Sequence, residues 1–465
     1  MTLTVTDSEE PAATEGAGTP LAPPPGDAQP WPKPRLAWYA LILFSLATMM
    51  NFFDKSVFGL MIEYIKRDFQ LTDIQIGLLL GPAGILFYLV VGVPLARLID
   101  IYPRNIILSL GLIVTSGMSA IGGVVQGYGQ LFLSRTFAGV GGSAHAPGTY
   151  SMMADYFPPK KLPRAIAFLQ GGFILGSGFA AIIGGVMLAR TATWAPSHIG
   201  PLVIHGWQWV LLATGIPGLI IALFIWALPE PPRRGVVSGG KGLSLRAVLR
   251  EIGARRTVYF PLFVGLALSA IESQGITEWR APFMMRTYGW GPAAIGAWSS
   301  ITYFVAWPIG VVFGTWLTER LSRRHKDAPI RATAIVFAVA VPFAVATPLM
   351  PTGELAMICA SIGSVFGMAA SVPQNAAIQT VTPNEMRGQV TAIYLFMFTV
   401  FGSLGSFLIS VVTTYMVGDT AKLWLSIAIV AGILLPLSAI AISRAMKPYA
   451  REVDRLEALS LGTAA

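Results

Sequence analysis

Runs of about 20 or more apolar residues follow one another along most of the chain, separated by short breaks marked by Pro, Gly or clustered charge. An α-helix rises 1.5 Å per residue, so each run is long enough to cross a hydrocarbon core about 30 Å thick. The pattern predicts twelve transmembrane helices. Their approximate limits are 36–60, 73–99, 105–127, 129–155, 164–190 and 207–228, then 257–286, 292–318, 332–350, 354–381, 388–417 and 421–445. The expected fold is therefore an all-α polytopic membrane protein.

Charge sets the expected orientation. Most of the 32 basic residues fall in the tails and in one alternate set of connections, which places both termini and the long basic connection on the cytoplasmic side. That connection divides the chain into a first six-helix bundle (36–228), a linker (229–256) and a second six-helix bundle (257–445). A disordered N-terminal tail (1–35) and a C-terminal tail (446–465) flank them. Within the linker, "LSLRAVLREIG" has the pattern of an amphipathic helix lying at the membrane surface.

The two halves repeat each other. "LIDIYPRN", with Leu98, Asp100 and Arg104, recurs as "LTERLSRR", with Leu317, Glu319 and Arg323, and the same offset carries Gly77 to Gly296. Two parallel six-helix repeats around a central cavity are a transporter architecture, with substrate held near the midplane between them.

Composition narrows the function classes. The chain is 54% hydrophobic and only 12% charged, about half the charge of a soluble protein. Its net charge of +9 follows from the orientation rule, so nucleic acid is not an expected partner. The single cysteine, Cys359, excludes an intramolecular disulfide framework and thiolate metal clusters. The first 30 residues lack the basic and apolar regions of a signal peptide. No Walker motif is present, and no acidic cluster that would hold Mg²⁺ beside a phosphate, so neither an enzyme nor a bound cofactor or metal is expected.

The charges inside the spans carry the candidate chemistry. An ionisable group within a membrane costs several kcal/mol unless it is paired or faces water, which makes it a functional candidate. Asp54 lies about 27 Å along the first span, and Arg135 about 9 Å below the outer surface in the fourth, so the two share a depth. An Asp54–Arg135 pair is expected, either as a structural bridge or as a coupling site in which protonation of Asp54 frees Arg135 for an anionic head group. Asn51 shares the Asp54 face one turn earlier. Lys55, about 100° away around the helix, is expected to snorkel to the interface. His145, whose type titrates near neutral pH, is a second proton-coupling candidate. Glu272, beside a Gly275 that could let its helix bend, is a further cavity candidate. Gln374 and Asn375 add neutral polar contacts, and Tyr303 and Trp307 aromatic walls. The glycine series "GGFILGSGFAAIIGG" is expected to let helices approach closely.

At "LIDIYPRN" and "LTERLSRR" the sequence resembles the major facilitator superfamily, whose loop motif is G-x-L-x-D-R-x-G-R-[RK]. Ile101 and Pro103 depart from that motif, as does Ser322 in the second copy. "RTFAGVGGSA" is similar to the superfamily's span-4 motif. Within the superfamily, "NFFDKSVFG", "WQWVLLATGIPGLI…LPEPPRRG" and "VTPNEMRGQVTAIYLF" resemble the spinster-like transporters. The resemblance covers all but the tails, and it departs at Gly142, where that family commonly has Glu. It implies that Asp100, Arg104, Glu319 and Arg323 form cytoplasmic gating contacts, and that the substrate is an amphipathic lipid such as a lysolipid.

The reading is a secondary transporter, proton-coupled and working by alternating access, located in the cell membrane among its lipids and acting as a monomer. It would move a small amphipathic or anionic molecule. An exporter of drugs or small organic anions is the alternative within that class, and a non-transporting receptor the alternative outside it.

Overall fold

The computed structural model describes residues 30–85, 91, 98–99, 101–143, 145–233, 245–383 and 386–462. The expected disordered tail up to residue 29, most of the second half of span 2 and Asp100 lie outside the described residues. Ten of the described helices are long and apolar enough to cross a membrane. Span 2 is described over Asp73–Ile85, and span 4 as Tyr128–Ser143 followed by His145–Tyr156. Leu223, Phe260 and Val312 are each about two-thirds exposed on the outer surface. Such a belt suits a lipid environment and would be a liability in water.

Several helices outrun the expected spans. Span 1 runs from Pro34 to Asp68 and so carries Glu63, Lys66 and Arg67 beyond the apolar run. The basic pair in its last turn complements the negative end of the helix dipole, so the charges prolong the helix. Span 7 runs unbroken from Arg256 to Tyr288 and ends at Gly289, whose φ of 69° forms a left-handed cap. Span 12 continues from Leu423 to Gly462. Tyr449 and Val453 of its extension are buried in the same core as Val248 of the linker helix Leu245–Ala254. That linker helix thus packs on the second half. A short hairpin, Ser197–Ile199 paired with Leu202–Ile204, joins spans 5 and 6.

Water does not drive helices together inside a bilayer, so close packing and hydrogen bonds must hold the halves in contact. Two repeat-related glycines do this. A Cβ on Gly77 of span 2 would lie 2.9 Å from the Ser406 carbonyl of span 11, and one on Gly296 of span 8 would overlap the Ala181 carbonyl of span 5. Spans 5, 8 and 11 each carry a π-helical turn, at Ala180–Gly184, Thr302–Ala306 and Val412–Val417. The glycine series also fits its expected role, since Gly172 and Gly176 bring span 5 onto the backbone of span 1 at Ser45 and Met49.

The buried cores show which end of the molecule is closed. At the end carrying the termini each half has a separate core, around Phe44, Leu108 and Tyr156 in the first and Tyr259, Phe337 and Tyr449 in the second. At the opposite end one core spans both halves and joins Phe53, Ile65 and Trp207 to Trp279, Met284 and Leu423. The halves are closed together there.

Candidate functional site

Between the halves lies a cavity of about 250 Å³. Asn51, Asp54 and Lys55 of span 1, Arg135 of span 4 and Glu278 of span 7 line it, and spans 2 and 11 close one side. Span 1 presents these three residues because it is continuous through "NFFDKS", which fixes their angular positions about the cavity.

Asp54 is held from two helices. Its Oδ2 accepts a hydrogen bond from Nη1 of Arg135 at 3.0 Å, and its Oδ1 accepts one from the hydroxyl of Ser119 in span 3. The Arg135 guanidinium lies 4.7 Å from the centre of the Phe58 ring. Its Nε and Nη2 are buried and hydrogen-bond to no described residue. One salt bridge and a ring face thus hold a cation that retains unused donors. Burying two charges in this way is tolerable because each offsets the other, and removing either would leave the other unpaired.

Lys55 does not snorkel away. It turns into the cavity, where its ammonium lies 3.4 Å from Oε1 of Glu278 in the other half. Gly142 also faces this space, and a Cβ there would sit 3.2 Å from Oδ1 of Asn51. Asn51 itself donates to the Ala47 carbonyl at 3.4 Å.

The remaining sequence candidates lie elsewhere. His145 is joined to Thr48 of span 1 through Nε2 at 2.8 Å. The Thr48 hydroxyl also donates to the Phe44 carbonyl at 2.9 Å, so its oxygen is left to accept from His145. Glu272 is buried but faces away from the cavity, because it precedes the lining residue Gln274 by about 200° of helix rotation. Gly275 does not break its helix, which is continuous from Arg256 to Tyr288. It allows a close crossing instead, since a Cβ there would meet the Gly405 backbone at 2.8 Å. Gln374 accepts from Tyr394 at 3.1 Å, and Asn375 donates to the Ser371 carbonyl, both within the second half. Tyr303 packs edge-on against Trp307, which stacks on Phe173 of span 5. This aromatic contact joins the halves beside the cavity without lining it.

Of the gating candidates, Arg104 is buried within its own half, bonded to Asp155 at 2.5 Å and to Glu230 at 2.7 Å. Glu319 and Arg323 are exposed. The structure does not bring these three together.

Sequence reasoning missed Ser119, the Lys55–Glu278 pair and a charge cluster at the closed end. In that cluster Arg286 of span 7 bonds Glu63 of span 1 and Asp73 of span 2, and Lys66 also reaches Asp73. The available signal was a set of charges on the side that the basic-residue bias leaves poor.

Two helical halves, packed through repeat-related glycines around a charged cavity, define a membrane transport protein. The chain belongs to the Major Facilitator Superfamily, whose family model matches residues 44–406. It is similar to an MFS-type efflux pump of Mycolicibacterium smegmatis, at 24% identity over 83% of this chain and 86% of that protein. It is also similar to Protein spinster of Drosophila melanogaster, at 22% identity over 63% of this chain and 48% of that protein. A crystal structure of a bacterial homologue of the human lysosomal transporter Spinster, inward-facing and unoccupied, superposes with a TM-score of 0.76. That match has 22% identity and covers 91% of this chain and 98% of that one. The fold is accordingly the twelve-helix major facilitator fold, spinster-like in its resemblance, and the protein is a transporter and not an enzyme.

Proposed function

We propose that this protein is a proton-coupled secondary transporter that moves an amphipathic or anionic small molecule, such as a lysolipid, by alternating access. The observation that carries the reading is the Asp54–Arg135 pair, set in the cavity between the halves. Deprotonated Asp54 holds Arg135. Protonated Asp54 releases it, and the freed guanidinium then takes an anionic group while the apolar body fills the cavity. Because the two states exclude each other, one carboxylate beside one arginine suffices for coupling.

The basic bias of the tails and linker supports cytoplasmic termini in a cell membrane. On that orientation the closed end faces outward and the cavity opens to the cytoplasm. Separation of Arg104 from Glu319 and Arg323 is what a gate at that end, completed by Asp100, would show when open. His145 is assigned a secondary part, tuning span 1 through Thr48.

The test uses purified protein in proteoliposomes. Asp54→Asn, which mimics the protonated form, should keep substrate binding and exchange but lose accumulation driven by ΔpH. If that variant still accumulates substrate in response to ΔpH, Asp54 is a structural bridge. A second reading, export of drugs or small organic anions, is supported by the similarity to a protein described as an efflux pump. Fluxes of a lysolipid panel against small organic acids separate the two, and binding without flux of either would indicate a receptor.

A further inference from the structure

Among the described residues two cations, Lys55 and Arg135, face the cavity, and they differ in what an incoming molecule can reach. The Arg135 side chain is 7% exposed, with Nη1 committed to Asp54 and the ring of Phe58 beside its guanidinium. The Lys55 side chain is 53% exposed, and its ion pair among the described residues is a looser one, with Glu278 at 3.4 Å. An anion can therefore meet Lys55 first, without breaking a buried pair. The Glu278 side chain is 12% exposed and belongs to the opposite half of the molecule. Gly59, one turn beyond Lys55, also faces Glu278, since a Cβ there would lie 3.8 Å from its Oε2.

We propose that Lys55 is the first anchor for the anionic group of the substrate and that Glu278 is its built-in competitor. The proposal rests on the reading of the cavity as a site for an amphipathic or anionic molecule. It adds a consequence, because the contact being contested crosses between halves. An anion that captures the Lys55 ammonium dissolves a tie between spans 1 and 7 and so favours parting of the halves at the closed end. Without a substrate, Glu278 keeps Lys55 and the halves stay joined. Once released, Glu278 has Arg280 as the other cation on its own stretch of helix. Arg280 lies about 200° around that helix, and Arg280 and Glu278 both act on the Tyr303 hydroxyl of span 8, which lies near them. Lys55 thus recognises the substrate and unlocks the bundle.

The test uses the full chain in neutral maltoside micelles, with monododecyl phosphate as an amphipathic anion and dodecyltrimethylammonium as its cationic counterpart, each titrated calorimetrically. Glu278→Gln removes the competitor and should tighten phosphate binding about two- to fivefold, the range for a half-exposed ion pair. Lys55→Gln should weaken phosphate binding by at least as much, and in that background Glu278→Gln, which only relieves the repulsion of the unpaired carboxylate, should not bring the affinity back to that of the wild type. Lys55→Gln also frees the Glu278 carboxylate, so the cationic probe should bind more tightly. Lys55→Arg should restore the anion site, and Glu278→Asp gives a milder competitor if Glu278→Gln fails to fold. Unchanged or weaker phosphate binding in Glu278→Gln overturns the proposal. So does wild-type phosphate affinity in Lys55→Gln, or a wild-type protein that binds the phosphate without saturation. Proton-driven flux in Asp54→Asn is a separate readout, so the coupling reading can fail while this one stands.

Discussion

Among the described residues, Arg286 makes the most side-chain hydrogen bonds between the halves at the closed end, and its removal should open that end. It donates to Glu63 from Nε at 3.0 Å and from Nη2 at 2.8 Å. It donates to Asp73 from Nη1 at 2.8 Å and from Nη2 at 2.9 Å, and Nη1 also reaches the Thr420 carbonyl at 3.2 Å. Glu63 and Asp73 belong to the first half and Arg286 to the second, so all four carboxylate contacts cross between them. Arg286→Gln removes the charge and the fork. Hydrogen bonds to charged groups contribute about 1.5–3 kcal/mol net. Lys66 stays with the buried Asp73 carboxylate, which keeps the loss toward the lower part of that range. A change of about 2 kcal/mol is roughly thirtyfold in an equilibrium constant. A molecule closed at this end 99 times in 100 would then be closed about three times in four. Spin labels at His198→Cys and Glu354→Cys, in a Cys359→Ser background, report the distance across that end. The variant should show a second, longer distance population. An unchanged distribution in a folded Arg286→Gln protein would mean that helix packing alone closes the end, and the electrostatic account would be wrong.

Packing should matter at the same end. Gly296→Val places a side chain against the Ala181 backbone carbonyl, which cannot move aside as a flexible side chain would. The variant should shift the same spin-label distances outward and slow transport, with a melting temperature in detergent that shows the halves still folded. For His145→Ala, loss of the bond to Thr48 should alter the pH dependence of transport more than substrate affinity. An unchanged pH profile in flux assays would leave His145 as a packing residue.

The amount of the site that was legible in the sequence depended on the reach of each interaction. Asp54 and Arg135 stood out because a charge in an apolar run is conspicuous, and a constant helix rise put both at one depth. Lys55 was misplaced by the same reasoning. Depth and helix angle describe a residue on its own span, whereas its partner, Glu278, comes from a helix more than two hundred residues later in the chain. Glu272 failed in the opposite sense, since its depth fitted a cavity residue but its helix face was fixed by the Gly275–Gly405 crossing. Ser119 carried no signal, because a serine in a membrane helix is commonplace until a carboxylate is found beside it.

The sequence by itself determined that the chain spans a membrane as helices, that it is built from two repeated halves, and that charges must be hidden inside it. Those properties follow from local quantities: the length of apolar runs, the cost of charge in lipid and the recurrence of short motifs. Tertiary structure alone decided which faces of the helices meet, which end of the molecule is closed and which charges share the cavity. In a membrane no hydrophobic gradient between lipid and neighbour selects a helix face, so the choice falls to contacts of atomic fit such as Gly77 on Ser406 and Gly296 on Ala181. Once those contacts set the rotation and spacing of spans 1, 4 and 7, the placement of Asp54 against Arg135 and of Lys55 against Glu278 follows.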